Sequence, residues 1–126
     1  MNKNYQLGLL YLTHLLISAD GVINDGEKVA IAKIKINEKI PNAIASEFEE
    51  SIFSKKEKEI YHEAIELINQ CSNQEKLRVF IILYKLSEVD GHVHIKEVKL
   101  MIYAIKTADI EFDSVVSEAK NVASFF

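Results

Sequence analysis

The stretch that decides the fold is DGVINDGE at residues 20–27, and its pattern returns as DGHVHIKE at residues 90–97. The shared pattern is Asp-Gly-x-(Ile/Val)-x-x-x-Glu, and a long apolar run precedes each copy, at residues 9–19 and 80–89. An internal repeat indicates that a chain is built from related structural units. We therefore predict two helix–turn–helix units within a single domain that spans residues 1–126.

Length and composition are those of one soluble domain, and they exclude several function classes. Of the 126 residues, 48% are hydrophobic and 27% are charged, which is ordinary for a folded domain. The net charge of −4, without any block of Lys and Arg, argues against a nucleic-acid partner. The longest apolar run, at residues 7–17, is shorter than the ~20 residues that a membrane span requires. We predict a cytoplasmic protein without a membrane span, in which the single cysteine, Cys71, is a small core residue.

The spacing of apolar residues is helical throughout, and one proline with four glycines leaves little room for the turns of a β protein. The sequence therefore predicts an all-α bundle of about seven helices. These are expected at residues 4–19, from Asn24 to a stop at Pro41, around 44–52, at 54–70, from Ser72 to Gly91, at 94–107, and after a cap at Asp113.

Local patterns predict the helix starts and the core. Three Asn/Ser-x-x-Glu patterns are typical of capping boxes, in which both side chains bond to free backbone N–H groups. They are Asn24 with Glu27, Ser54 with Glu57, and Ser72 with Glu75. The first and fifth helices are apolar on most sides, so they should form the buried centre. The residues expected there are Leu12, Leu16, Phe80 and Leu83, and those expected on the buried side of the second helix are Val29, Ile31, Ile34 and Ile36.

Each Asp-Gly turn places one acid at the end of a helix and another in the first turn of the next helix. Asp20 should therefore lie near Glu27, and Asp90 near Glu97. Paired carboxylates with turn carbonyls are the oxygen ligands that calcium and magnesium prefer, so one interpretation is a divalent-metal site. The spacing matches only the second half of an EF-hand loop, which argues against tight calcium binding. The alternative is that the acids are helix caps and turn residues, stabilised by the helix dipole.

The doubled motif on paired apolar helices resembles the TerB-like family, which includes tellurite-resistance protein B and the N-terminal region of the membrane co-chaperone DjlA. The resemblance covers nearly the whole chain. It implies a compact all-α domain with an internal pseudo-repeat, a part in bacterial stress response, and a divalent-metal site without established catalysis. The positions that match the motif are Asp20, Glu27, Asp90 and Glu97.

The second copy departs from the family pattern, because His92 and His94 stand beside its acids and Lys96 adds a positive charge. Imidazole and carboxylate ligands together suit zinc or nickel better than calcium. The alternative is that both are exposed turn histidines. Of the other histidines, His14 is expected to be a hydrogen-bonded core or rim residue, and His62 to lie on a charged face.

Three functions remain open at this point. The first is a non-enzymatic TerB-like domain, associated with tellurite resistance or stress response, that binds a protein partner or a divalent ion (Ca²⁺, Mg²⁺, Mn²⁺ or Zn²⁺). The second is a metal-dependent hydrolase that uses the four motif acids. The third is a purely structural interaction module, in which the acids only build the turns. Since no Ser-His-Asp or Cys-His arrangement can be assembled, we expect a protein that is not an enzyme.

Overall fold

The computed structural model describes residues 2–17, 25–89, 98 and 111–122, and in these ranges the chain is helical with short connections. The described helices are α1 (Lys3–Ile17), α2 (Asp25–Asn37), α3 (Asn42–Ser54), α4 (Glu57–Asn69), α5 (Asn73–Val89) and α6 (Phe112–Ala119). This part of the chain contains no strand, which confirms the all-α class. It shows six helices where about seven were predicted, because the helix expected at 94–107 lies outside the described residues apart from Val98, which is helical and buried. The internal repeat stays a prediction.

Helix α1 is the centre of the bundle. Its side chains are buried on nearly all sides, and α4, α3, α5 and α2 all pack against it, α4 most extensively. Leu12 and Leu16 lie in this core together with Phe80 and Leu83 of α5, which confirms the predicted centre. Burying one such side chain stabilises the folded state by roughly 1.5–3 kcal/mol. A helix buried almost all round therefore organises the elements that surround it.

The close packing of α1 against α4 depends on a missing side chain. A Cβ atom at Gly8 would lie 2.6 Å from Cδ1 and 2.9 Å from Cγ1 of Ile68. Both distances are shorter than a normal carbon contact of about 3.5–4.0 Å. Glycine within a helix is about 1 kcal/mol less favourable than alanine, and here the close approach of α4 is what offsets that cost.

One predicted capping box is present at the start of α5. The backbone N–H of Ser72 donates to Oε1 of Glu75 at 3.0 Å, and the backbone N–H of Glu75 donates to Oγ of Ser72 at 3.1 Å. The two side chains thus satisfy two N–H groups that a helix start leaves without intrahelical partners. The prediction for Ser72 and Glu75 is confirmed.

The capping box predicted at Ser54 is wrong. Ser54 is the last residue of α3, and its hydroxyl donates to the backbone carbonyl of Glu50 at 3.0 Å. Such a bond to the preceding turn is available to serine within a helix, so Ser54 extends α3 instead of starting α4. The residue before α4 is Lys56, which makes no side-chain cap bond, and the acids of the first turn are Glu57 and Glu59. Their negative charge is favoured there by the helix dipole.

Helix α2 ends before Pro41 and not because of it. Its last residue is Asn37, and Lys39 follows with a φ of 55°, the left-handed conformation that commonly closes a helix. The N–H of Ile40 then reaches back to the carbonyl of Lys35 at 2.9 Å, which is the long bond of a Schellman closure. Pro41 instead takes the N-cap position of α3.

Helix α2 also presents a different side to the core from the one predicted. Glu27, Ala30 and Ile34 are buried, and their spacing of three and four residues defines the inward side. Val29 and Ile36 lie on the opposite side, and they are 54% and 79% exposed. The prediction that these two residues belong to the buried side is wrong, because an acid takes the inward position in the first turn of α2.

The start of α6 is displaced from the predicted cap. Glu111 takes the N-cap position, and Asp113 lies inside the first turn. Val115 and Ala119 are buried, and α6 packs against α5. An acid in the first turn is stabilised by the same helix dipole that favours a cap, so the sequence pattern does not separate the two positions.

Candidate functional site

Glu27 is the one predicted site residue that lies within the described residues. It stands in the first turn of α2, and its side chain is fully buried. Its Oε1 atom is in hydrogen-bonding contact with Nδ1 of His14, which lies in the last turn of α1 and is 3% exposed. The sequence offered Glu27 as a cation ligand or as a cap, and the structure shows a contact between two helices. It also confirms His14 as a hydrogen-bonded core residue.

The positions of the two side chains suit opposite charges. Glu27 lies at a helix N-terminus, where the free N–H groups favour a negative charge, and His14 lies at a helix C-terminus, where a positive charge is favoured. When Glu27 is ionised it can only accept, so the bond needs a proton on Nδ1 of His14. The pair therefore fastens the end of α1 to the start of α2.

An aromatic ring of α3 packs against the imidazole of this pair. The ring of His14 meets the ring of Phe48 edge-on, with centroids 6.0 Å apart and an interplanar angle of 76°. Phe48 in turn packs against Tyr11 at 5.8 Å. Because Phe48 and Tyr11 are fully buried, the contact between His14 and Glu27 lies in an apolar setting, where a polar bond is strong and a missing partner is costly.

The remaining predicted ligands lie outside the described residues: Asp20, Asp90, His92, His94 and Glu97. Among the residues that are described, no three His, Cys, Asp or Glu side chains lie close enough together to hold a metal ion. The metal site stays a prediction, and Glu27 is its described member.

A second buried acid, which sequence reasoning missed, lies just after the end of α2. Glu38 accepts a bond from the Tyr5 hydroxyl at 2.5 Å and two from Arg78, at 3.1 Å from Nε and 2.9 Å from Nη2. Tyr5 belongs to α1 and Arg78 to α5, so this cluster joins three helices. The sequence does contain a signal for this cluster: Tyr5 lies on an apolar helix, and a buried tyrosine hydroxyl usually has a hydrogen-bond partner.

The electrostatics of this cluster follow from its contacts. Burial raises the pKa of Glu38, and the hydrogen bonds from Arg78 and Tyr5 lower it by more, so it lies below its ordinary value of 4.5. The bond to Glu38 raises the pKa of Arg78. Burial and then Glu38 raise the pKa of the Tyr5 hydroxyl. Glu38 is therefore a stable carboxylate at neutral pH, and its role is to hold the helices together.

The outward side of α2 is apolar and basic. We call it the α2 outer face, and its members are Lys28, Val29, Ala32, Lys33 and Ile36, all of them exposed. Lys39 is also exposed just beyond the helix, whereas Glu27 and Glu38 point inward. Within residues 25–39, Lys28, Lys33 and Lys39 are exposed and Lys35 is half-buried, whereas Asp25 is the one exposed acid. This contrasts with the net charge of −4 of the whole chain.

A cleft of about 870 Å³ opens along α4. Four of its charged side chains form two pairs: Lys55 contacts Glu63, and Nε2 of His62 lies 3.1 Å from Oε1 of Glu66. His62 is exposed on a charged face, as predicted. Such pairs are typical of a solvated helix surface.

Cys71 is buried and free, which confirms it as a small core residue. Burial raises the pKa of its thiol to about 11. Since the thiolate is the reactive form, this cysteine is protonated and inert at neutral pH.

Comparison with protein-family models, with curated proteins and with solved structures finds no match. In the part of the chain that the structure describes, no helix combines the length and the apolar character that crossing a membrane requires.

Proposed function

We propose that this chain is a non-enzymatic helical domain of the TerB-like kind, and that it acts in the cytoplasm by binding a protein partner. The observation that carries the proposal is the α2 outer face, where Val29 and Ile36 are 54% and 79% exposed. Single exposed apolar residues are ordinary, whereas a group of them on one side of one helix supports an interaction surface. The resemblance of the doubled motif supports tellurite resistance or another stress response as the setting.

The geometry of this face suits a protein surface. Val29, Ala32 and Ile36 follow one another at three and four positions, so they form a single stripe along α2. Lys28 and Lys33 flank the stripe on its two sides. An apolar stripe with charges at its margins is the arrangement that a helix uses when it packs into the groove or against the helix of another protein.

The contact of Glu27 with His14 supports protein binding over metal binding. The carboxylate of Glu27 is directed into the core and bonds to an imidazole. A cation at the first turn would have to share this carboxylate with His14 or draw it out of the core. No such rearrangement is needed for the α2 outer face, which is already accessible to a partner.

A divalent ion at the first Asp-Gly turn is the second candidate, and it is favoured by the placement of a carboxylate at the helix start that follows this turn. Saturating Ca²⁺, Mg²⁺, Mn²⁺ or Zn²⁺ should then stabilise the fold, by about 2.7 kcal/mol at a hundredfold excess over Kd. We expect the variant with Asp20→Asn and Asp90→Asn to lose this rise in melting temperature. A control with Glu49→Gln and Glu50→Gln should keep it. The hydrolase alternative depends on the same four acids and stays a prediction.

The proposed function is tested by cross-linking in the cells that make the protein. A photoreactive residue is placed at Ile36, and in a matched variant at Ser117, which is exposed on α6. We expect a discrete adduct from position 36 and none from position 117. The adduct should disappear when Lys28→Glu and Lys33→Glu are added. If no adduct forms at position 36, the α2 outer face binds no protein and the proposal is wrong.

A further inference from the structure

We propose that the occupant of the α2 outer face is a second copy of this chain, which presents the outward side of its α3. This inference rests on the proposed function, because it names the partner of the same surface. It is carried by the charge and the apolar residues of two helix faces that the structure describes in full.

The outward side of α3 is the complement of the α2 outer face. We call it the α3 outer face, and its exposed members are Ser46, Glu49, Glu50 and Phe53. Their spacing of three, four and seven positions places them on one side of the helix. Phe53 is 82% exposed, the highest value among the large hydrophobic residues described. The face thus offers one large aromatic side chain beside two carboxylates.

The charge of α3 is of one sign. The helix contains three glutamates and neither lysine nor arginine. Glu47 lies away from the outer face and bonds to Lys3 at 3.0 Å, whereas Glu49 and Glu50 are exposed beside Phe53. The exposed charge of α3 is therefore negative, while that of the α2 outer face is positive on balance, because two lysines outnumber Asp25, which lies on the same side one turn before Val29.

The two faces fit each other in both respects. When Phe53 of one copy packs on the stripe of Val29 and Ile36 of another, the carboxylates beside it approach Lys28 and Lys33. The aromatic anchor then supplies most of the affinity, because exposed ion pairs contribute little individually. The charges select the partner and its orientation, since placing like charges together is strongly unfavourable.

Two other partners fit the same surface less well. An anionic membrane would attract the lysines of α2, but the chain as a whole carries a net charge of −4 and would be repelled. An acidic helix of another protein would match the lysines, but it would leave the exposed Phe53 of α3 unexplained. Pairing between copies uses both faces.

The geometry of this pairing sets the possible assemblies. The contact joins two different faces. If each copy contributes both faces to the same neighbour, the interface is isologous and closes into a two-fold dimer. Otherwise the copies add head to tail. The dimer and the head-to-tail assembly require the same contact between α2 and α3. Both should weaken with rising salt, because the lysines and glutamates beside the apolar contact are exposed.

The test is a charge-swap experiment followed by sedimentation velocity over a range of protein concentrations. One variant carries Lys28→Glu with Lys33→Glu, and the other carries Glu49→Lys with Glu50→Lys. All four positions are exposed, so the helical circular dichroism and the melting temperature should stay near those of the wild type. Each variant alone should associate at least about tenfold more weakly than the wild type, because like charges now face each other.

The mixture of the two variants is the decisive sample. Reversed lysines then meet reversed glutamates, and the unchanged faces also match, so association should return to the wild-type level. Phe53→Ser should weaken association in every combination. A wild-type chain that stays monomeric at high concentration and low salt overturns the inference, as does a mixture that fails to recover association.

The cross-linking experiment separates this inference from the proposed function. An adduct at position 36 with the mass of two copies supports both. An adduct with a different protein overturns the second-copy inference and leaves the proposed function standing. The lack of any adduct overturns both.

Discussion

The two ends of α2 are each fastened by a buried acid, and the two acids are fastened differently. At the start of the helix, Glu27 contacts the imidazole of His14, and both side chains are almost completely buried. Just after the end, Glu38 receives a two-pronged bond from Arg78 and a third bond from Tyr5, and the Arg78 side chain is 26% exposed. The guanidinium of Arg78 bonds to both oxygens of Glu38, whereas the imidazole of His14 contacts Glu27 through Nδ1.

The comparison explains how α2 is oriented. Glu27 and Glu38 are separated by close to three full turns, so the two anchors lie on the same side of the segment. Their inward position turns Val29 and Ile36 outward. The buried acids therefore create the α2 outer face, by hiding negative charge and by displaying the apolar stripe with its lysines. Each anchor can be removed by a separate substitution. The loss of unfolding free energy should be larger for the anchor whose side chains are more deeply buried.

The largest effect is expected from His14→Leu. This change leaves the Glu27 carboxylate in an apolar setting without its imidazole, which should lower the free energy of unfolding by about 3–5 kcal/mol. The measurement is urea denaturation followed by circular dichroism. The control is the double variant with His14→Leu and Glu27→Leu, which removes both polar groups and should recover most of the loss. If the double variant is less stable than His14→Leu, the cost of His14→Leu does not come from Glu27 losing its contact with the imidazole.

A somewhat smaller effect is expected from Arg78→Met at the other end of α2. Glu38 then keeps the Tyr5 hydroxyl but loses the guanidinium. We expect a loss of about 3 kcal/mol, at the low end of the range for breaking a buried pair, because water still reaches the Arg78 position. Arg78→Lys should fall between the wild type and Arg78→Met, since it restores the charge without the two-pronged geometry. If the wild type, Arg78→Met and Arg78→Lys are equally stable, Glu38 does not anchor the end of α2.

Local features of this fold were predictable from the sequence. The capping box of Ser72 and Glu75 depends on residues three positions apart, so the pattern contains all that is needed. The burial of Leu12 and Phe80 follows from helices that are apolar nearly all round. Such a helix is buried on all sides, so these residues are buried whichever way the helix is rotated about its axis.

The site required information that short stretches do not contain. The contact between Glu27 and His14 joins two helices, and the same Asn-x-x-Glu spacing is equally typical of a cap. The outward orientation of Val29 follows from that contact, so it was missed together with it. Ser54 shows the same limit on a smaller scale, because a serine hydroxyl can start a helix or bond to the turn before it.

The third prediction concerns the stability of the protein at acidic pH, which tests the anchor at Glu38 separately from the anchor at Glu27. The pKa of Glu38 lies below its ordinary value of 4.5 in the folded protein, so the unfolded chain binds more protons as the pH falls. The contribution of Glu38 is therefore complete above about pH 4.5 and is lost as the pH falls through the lower, folded value. Urea denaturation at a series of acidic pH values should show this loss in the wild type. In Arg78→Met the guanidinium no longer lowers the pKa of Glu38, and only the bonds from Tyr5 and Asn37 oppose the effect of burial, so the loss of stability in acid that is due to Glu38 should be smaller than in the wild type.

The smallest effect is expected at Lys39, which closes α2 between its last turn and the buried Ile40. Lys39 has a φ of 55°, which a side chain with a Cβ atom adopts at a cost and which glycine adopts freely. Lys39→Gly should raise the free energy of unfolding by roughly 0.5–1 kcal/mol, because the relief of strain exceeds the added freedom of the unfolded chain. Lys33→Gly is the matched control, since it places glycine in the right-handed interior of the same helix and should cost about 1 kcal/mol. Lys39→Gly should also leave the acid dependence that is due to Glu38 unchanged, because the bonds from Arg78 and Tyr5 are kept. If the acid dependence changes as well, the closure of the helix and the anchor at Glu38 form one unit, and the end of α2 is held more cooperatively than its start.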